Sequence, residues 1–159
     1  SLCLIANSYA RLKLKDERFF ALLTAEICRQ IGDFSLSNLA VIANAYARLN
    51  VRSVYLLEVL AEEVHKKYTE KNQPKDVALI LNALARLELP SPLLFKYFEK
   101  DIPKRLKVYN LQSICLVAAA YAKMKHPASY LFECMGERIG HLSKKLQPRS
   151  VALLIHAYA

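Results

Sequence analysis

One phrase returns along the chain at a nearly constant interval, and this limits the fold more than any other feature. Ile5–Leu12 (IANSYARL) recurs as Ile42–Leu49 (IANAYARL) and Ile80–Leu87 (ILNALARL). A looser copy is Val117–Met124 (VAAAYAKM), and a cut-off copy is Leu154–Ala159 (LIHAYA). Measured between Tyr9, Tyr46, Leu84, Tyr121 and Tyr158, the intervals are 37, 38, 37 and 37 residues. Self-similarity at a period of about 20–50 residues marks a stack of identical supersecondary units, because one such unit cannot bury its apolar face alone.

Each unit reads as two helices. The first opens at Ser35, Gln73, Asn110 or Gln147. Ser35 and Asn110 carry short oxygen-bearing side chains suited to capping free N–H groups. Gln73 and Gln147 are poorer caps, but Pro74 and Pro148 follow them, at a position where a missing N–H is harmless. The second helix is expected over 17–32, 54–70, 92–107 and 128–145. Phe20, Leu23, Ile27 and Ile31 share one face of it, as do Leu57, Leu60, Val64 and Tyr68 in the next copy. Pro103 should kink or break the third of these helices, and Gly136 and Gly140 should weaken the fourth. The fold class is therefore all-α: an α-solenoid of stacked helix-turn-helix repeats. The divisions are a partial repeat over 1–34, repeats over 35–72, 73–109 and 110–146, and a partial repeat over 147–159. Both ends cut through a first helix, so the chain is expected to be a fragment of a longer one.

Composition agrees. Three Gly and 6 Pro in 159 residues leave too little turn material for a sandwich or barrel. A hydrophobic share of 54% excludes a disordered chain. Cys3, Cys28, Cys115 and Cys134 form no Cys-x-x-Cys pair and fall within helical apolar patterns, where cysteine acts as a small hydrophobe. With no disulfide framework, a reducing compartment fits. The four histidines show no zinc-ligand spacing, and there is no phosphate loop or nucleophile elbow. No catalytic residues, metal, cofactor or small-molecule substrate are expected, and no apolar run is long enough to span a membrane. The chain reads as a binding protein, not an enzyme.

The balance of 23 Lys and Arg against 14 Asp and Glu gives a formal charge of +9, which suits a polyanionic partner. On a helical wheel, Leu39, Ile42, Ala43, Tyr46 and Leu49 face the second helix. Ala40, Ala47 and Ala45 form small flanks for neighbouring first helices. The remaining stripe holds Ser37, Val41, Asn44 and Arg48. It repeats as Lys75, Leu79, Asn82, Arg86, then as Gln112, Leu116, Ala119, Lys123. The end copies supply Leu4, Asn7 and Arg11, and Arg149, Leu153 and His156. Arg11, Arg48, Arg86 and Lys123 thus form a ladder of one cation per repeat. A cation in a last helical turn also offsets the helix dipole, but that does not account for Asn7, Asn44, Asn82 and His156 beside it. Cations for phosphates and amides for base edges suit single-stranded RNA, whose bases are unstacked. The candidate RNA-binding residues are Asn7, Arg11, Asn44, Arg48, Lys75, Asn82, Arg86, Gln112, Lys123, Arg149 and His156. The alternative is a HEAT-like scaffold that docks an acidic protein in the same groove. A second basic zone lies at the ends of the second helices: Lys66, Lys67, Lys71; Lys104, Arg105, Lys107; Lys144, Lys145.

The phrases Leu39–Leu49 and Pro74–Leu87 resemble the first helix of octotricopeptide and heptatricopeptide repeats. Such repeats occur in organellar RNA-binding proteins related to the FAST-kinase-domain and RAP-domain families. The resemblance spans essentially the whole chain, although no RAP domain is visible. It implies an α-solenoid acting on mitochondrial RNA, or on RNA of another organelle such as the chloroplast. Repeats of this kind are expanded in apicomplexan parasites, whose mitochondrial ribosomal RNA is fragmented. The expected setting is therefore a mitochondrial ribosome, with ribosomal RNA and neighbouring ribonucleoprotein subunits as partners.

Overall fold

Two of the first helices begin where their free N–H groups meet a side-chain acceptor. In a computed structural model, which describes residues 1–142 and 148–158 (without the Leu153 side chain), Ser35 forms a reciprocal cap. Its Oγ accepts from the Asn38 N–H at 3.2 Å, and Asn38 Oδ1 accepts from the Ser35 N–H at 3.3 Å. Asn110 Oδ1 accepts from the Ser113 N–H at 2.8 Å. Gln73 makes no such bond, and Pro74 opens its helix instead. Gln147 lies outside the described residues. Ser35→Ala should therefore destabilise the protein by about 1 kcal/mol, whereas Gln73→Ala should be close to neutral. Paired chemical denaturation of the two variants checks this.

The first helices are α1 (Leu2–Leu12), α3 (Leu36–Leu49), α5 (Pro74–Arg86), α7 (Leu111–Lys123) and α9 (Pro148–Tyr158). The second helices are α2 (Glu17–Arg29), α4 (Val54–Lys67), α6 (Pro92–Arg105) and α8 (Ser129–Leu142). They stack as antiparallel pairs, with no strand among the described residues. Each first helix packs on the next, α1 on α3, α3 on α5, α5 on α7 and α7 on α9. Alanines make that approach close. Ala40, Ala43, Ala45 and Ala47 are buried in α3, as are Ala78, Ala83 and Ala85 in α5.

The second helices end earlier than the apolar pattern suggests. α2 stops at Arg29 and a 3-10 turn covers Ile31–Asp33; α6 passes into another at Leu106–Val108. Pro103 does not break α6, which continues to Arg105. It sits in the last turn, so only one backbone bond is lost before the tighter 3-10 geometry takes over. α8 likewise runs through Gly136 and Gly140.

The first helices end on one repeated turn. Lys13, Asn50, Glu88 and Lys125 all have positive φ, between 50° and 57°. The following N–H reaches back to the marker carbonyl: Leu14 to Tyr9 at 3.0 Å, Val51 to Tyr46 at 2.9 Å, Leu89 to Leu84 at 3.0 Å and His126 to Tyr121 at 3.1 Å. This is the Schellman arrangement, built here without glycine.

Three of the marker tyrosines, Tyr46, Tyr121 and Tyr158, tie their first helix to the preceding second helix. Tyr46 is fully buried, and its hydroxyl bonds Thr24 of α2 at 2.9 Å. Tyr121 donates to the Phe95 carbonyl of α6 at 2.6 Å, and Tyr158 to the Phe132 carbonyl of α8 at 2.8 Å. Burial pushes the Tyr46 phenol up to about 12. It therefore stays protonated and available for the bond at physiological pH.

Candidate nucleic-acid interface

Packing on three sides leaves the inner first helices one strip of accessible surface. In α3, every residue is buried except Ser37, Asn38, Val41, Asn44 and Arg48. In α5, only Pro74, Lys75, Leu79, Asn82 and Arg86 escape burial. In α7, Leu111, Gln112, Leu116, Ala119, Ala122, Lys123 are the accessible ones. The accessible strip is thus the polar stripe read from the wheel. Along each helix it runs from an exposed polar residue, through a half-buried apolar side chain and a half-buried Asn or Ala, to an exposed cation.

Arg11, Arg48, Arg86 and Lys123 each occupy the last turn of their helix, and His156 holds that place in α9. All five are exposed. The ion pairs among the described residues use Arg29, Lys66, Lys67 and His126, and none uses a ladder cation. The ladder charges are free to meet an anion. Lys75, Gln112 and Arg149 are exposed near the starts of α5, α7 and α9. Asn7, Asn44 and Asn82 are half-buried in mid-helix. Their amides make no hydrogen bond among the described residues. Asn38, Asn72 and Asn110 instead use theirs to close caps and turns. Ser37 is occupied, since its hydroxyl donates to the buried Asp76 carboxylate of the next repeat.

The second basic zone divides. Lys67 Nζ donates to the Phe34 carbonyl at 2.7 Å, and an Arg105 amine to the Asn72 carbonyl at 2.8 Å. Each therefore brackets the connection of the preceding repeat. The loop cations Lys15 and Arg52 do the same in the other direction, reaching the Asn50 carbonyl at 3.1 Å and the Leu87 carbonyl at 2.9 Å. Charge counting could not separate these bracketing cations from free ones, because their partners lie more than 30 residues away. Lys66, Lys71, Lys104 and Lys107 stay exposed, although Lys66 lies 3.5 Å from Glu63. Lys144 and Lys145 lie outside the described residues.

Burial raises the Cys28 and Cys115 thiols, which disfavours the thiolate a nucleophile needs. Among the described residues no three His, Cys, Asp or Glu side chains are placed to hold a metal, and no helix is long and apolar enough to cross a membrane. What the surface presents is a row of cations, amides and small apolar side chains on consecutive helices.

No curated protein matches the chain. The model of one protein family, described as RNA-editing substrate-binding complex 6 protein (RESC6), matches residues 1–159. The match supports the helical, mitochondrial and ribonucleoprotein parts of the expectation. It is not specifically a match to octotricopeptide or heptatricopeptide repeats, and it lends no support to a ribosomal or translational setting. With its full length covered, the chain belongs to the RESC6 family, whose members are subunits of a mitochondrial RNA-editing substrate-binding complex.

Proposed function

We propose that this chain is a non-enzymatic RNA-holding subunit that binds single-stranded RNA along the exposed stripe of its first helices. The observation that carries the reading is that α3, α5 and α7 offer a ligand almost nothing else. Any strand laid across the first-helix face meets Arg48, Arg86 and Lys123 at one edge, Asn44 and Asn82 in the middle, and Lys75 and Gln112 at the other edge. The cations would position phosphates, and the amides would touch base edges. The half-buried Val41, Leu79 and Leu116 provide apolar ground for base faces. The family description, with RNA-editing substrates as the bound species, fits this division of labour. The repeat divisions 1–34, 35–72, 73–109, 110–146 and 147–159 belong to the same proposal, with one contact set per unit. Asn7, Arg11, Arg149 and His156 extend the set at the two ends.

Ultraviolet cross-linking of the purified protein to a uridine-rich single strand tests the reading. Cross-linked peptides should map to α3, α5 and α7 around Asn44, Asn82 and Gln112. Cross-links confined to the second helices would move the RNA to Lys66, Lys71, Lys104 and Lys107. Competition by acidic protein but not by RNA would favour the scaffold alternative for the same stripe.

A further inference from the structure

The interval of 38 residues between Tyr46 and Leu84, against 37 elsewhere, has a structural counterpart. The α2-to-α3 and α6-to-α7 connections each contain a 3-10 turn, whereas the α4-to-α5 connection leaves α4 with Tyr68 extended and has none. On this side of the solenoid, α4 and α6 approach each other less closely than α2 and α4 or α6 and α8 do. A groove of ≈ 660 Å³ opens between them and the loop after α5. It contains no residue of the cation ladder.

The two walls carry opposite charge. Glu58 and Glu62 stand one helical turn apart on α4, and Lys96 and Lys100 one turn apart on α6. All four are exposed, and none joins an ion pair within 4 Å among the described residues. The walls meet at His65 and Tyr97, whose ring centroids are 5.4 Å apart, while the two charged rows leave each other unneutralised. Between them lies an apolar strip that includes Leu93, 84% exposed, and Tyr97, 39% exposed. A polynucleotide is a poor occupant, because one wall would repel its phosphates. A polypeptide can present both signs of charge with apolar side chains between them.

We infer that the α4–α6 groove docks an amphipathic helix of another subunit of the complex. That helix would seat apolar residues spaced i, i+3/i+4, i+7 on Leu93 and Tyr97. It would turn basic residues toward Glu58 and Glu62 and acidic residues toward Lys96 and Lys100. Helix-in-groove recognition works through such a stripe, and unlike charges along the rims set its direction and register. The inference rests on membership of a multi-subunit complex and is independent of the RNA stripe.

The test places a photo-cross-linking amino acid at Leu93, where 84% exposure makes replacement harmless to the core, in the full-length protein within its assembled complex. The expected product joins position 93 to a segment of another subunit with the stated pattern. The corresponding synthetic peptide should bind the purified protein and lose affinity at least about tenfold with Glu58→Lys plus Glu62→Lys, a difference of about 1.4 kcal/mol. Reversing the basic residues of the peptide should restore binding to that variant. RNA affinity of the variant should not fall, which separates this result from failure of the stripe. A cross-link to RNA, no cross-link to any subunit, or a peptide affinity indifferent to the charge reversal would each overturn the inference.

Discussion

Replacing Arg48, Arg86 and Lys123 together with glutamine should lower single-stranded RNA affinity about a hundredfold at 0.1 M salt and reduce the log–log salt slope by about 2. Each phosphate contact to a single strand contributes about 0.7 to that slope through counterion release. Three lost contacts therefore sum to roughly two logarithmic units per decade of salt. Glutamine keeps the helix propensity and the hydrogen-bonding head, so the change isolates charge. All three side chains are exposed and lie outside the ion pairs of the described residues. Their structural share is the helix-dipole contribution, about 0.3–1 kcal/mol each. Asn44→Ala and Asn82→Ala should instead alter preference among sequences and leave the slope in place. A triple variant with native affinity and native slope would reduce the ladder to its dipole role.

Leu39→Ala should destabilise the protein by about 2–5 kcal/mol. Leu39 is fully buried within α3, which is packed between α1 and α5. Alanine there leaves a cavity whose walls belong to neighbouring helices held by their own contacts, so collapse into the space is limited. Nearest-neighbour coupling in a solenoid spreads the damage to the repeats on either side. Urea titration followed by helical circular dichroism reads the change. A loss under about 1 kcal/mol would show that the α3 interface repacks freely.

The first-helix layer was legible because its rule is local. Cap and wheel position both lie within a helix of 14 residues, and Ser35, Tyr46 and Arg48 take the places that those local rules assign. The connections were not legible in the same way. Positive φ at Lys13, Asn50, Glu88 and Lys125 carries no glycine signature. Nothing near Lys67 or Arg105 announces carbonyl partners in the preceding repeat. The α4–α6 groove is lined by residues of two helices and a loop, and their approach is set across a layer and not along a helix.

Leu84 replaces tyrosine at one of the five marker positions, so one junction of the solenoid is fastened differently from the others. Tyr46, Tyr121 and Tyr158 fasten their joints with a hydroxyl bond to the preceding second helix. The joint between α4 and α5 has no hydroxyl to contribute and is held at this level by side-chain packing. Polar ties elsewhere in the same junction stand in for it: Ser37 bonds Asp76, Arg52 the Leu87 carbonyl, Tyr68 Asp101 and Arg105 the Asn72 carbonyl. The second and third repeats are therefore clamped at the rims of the stack, where the other junctions are pinned through its middle.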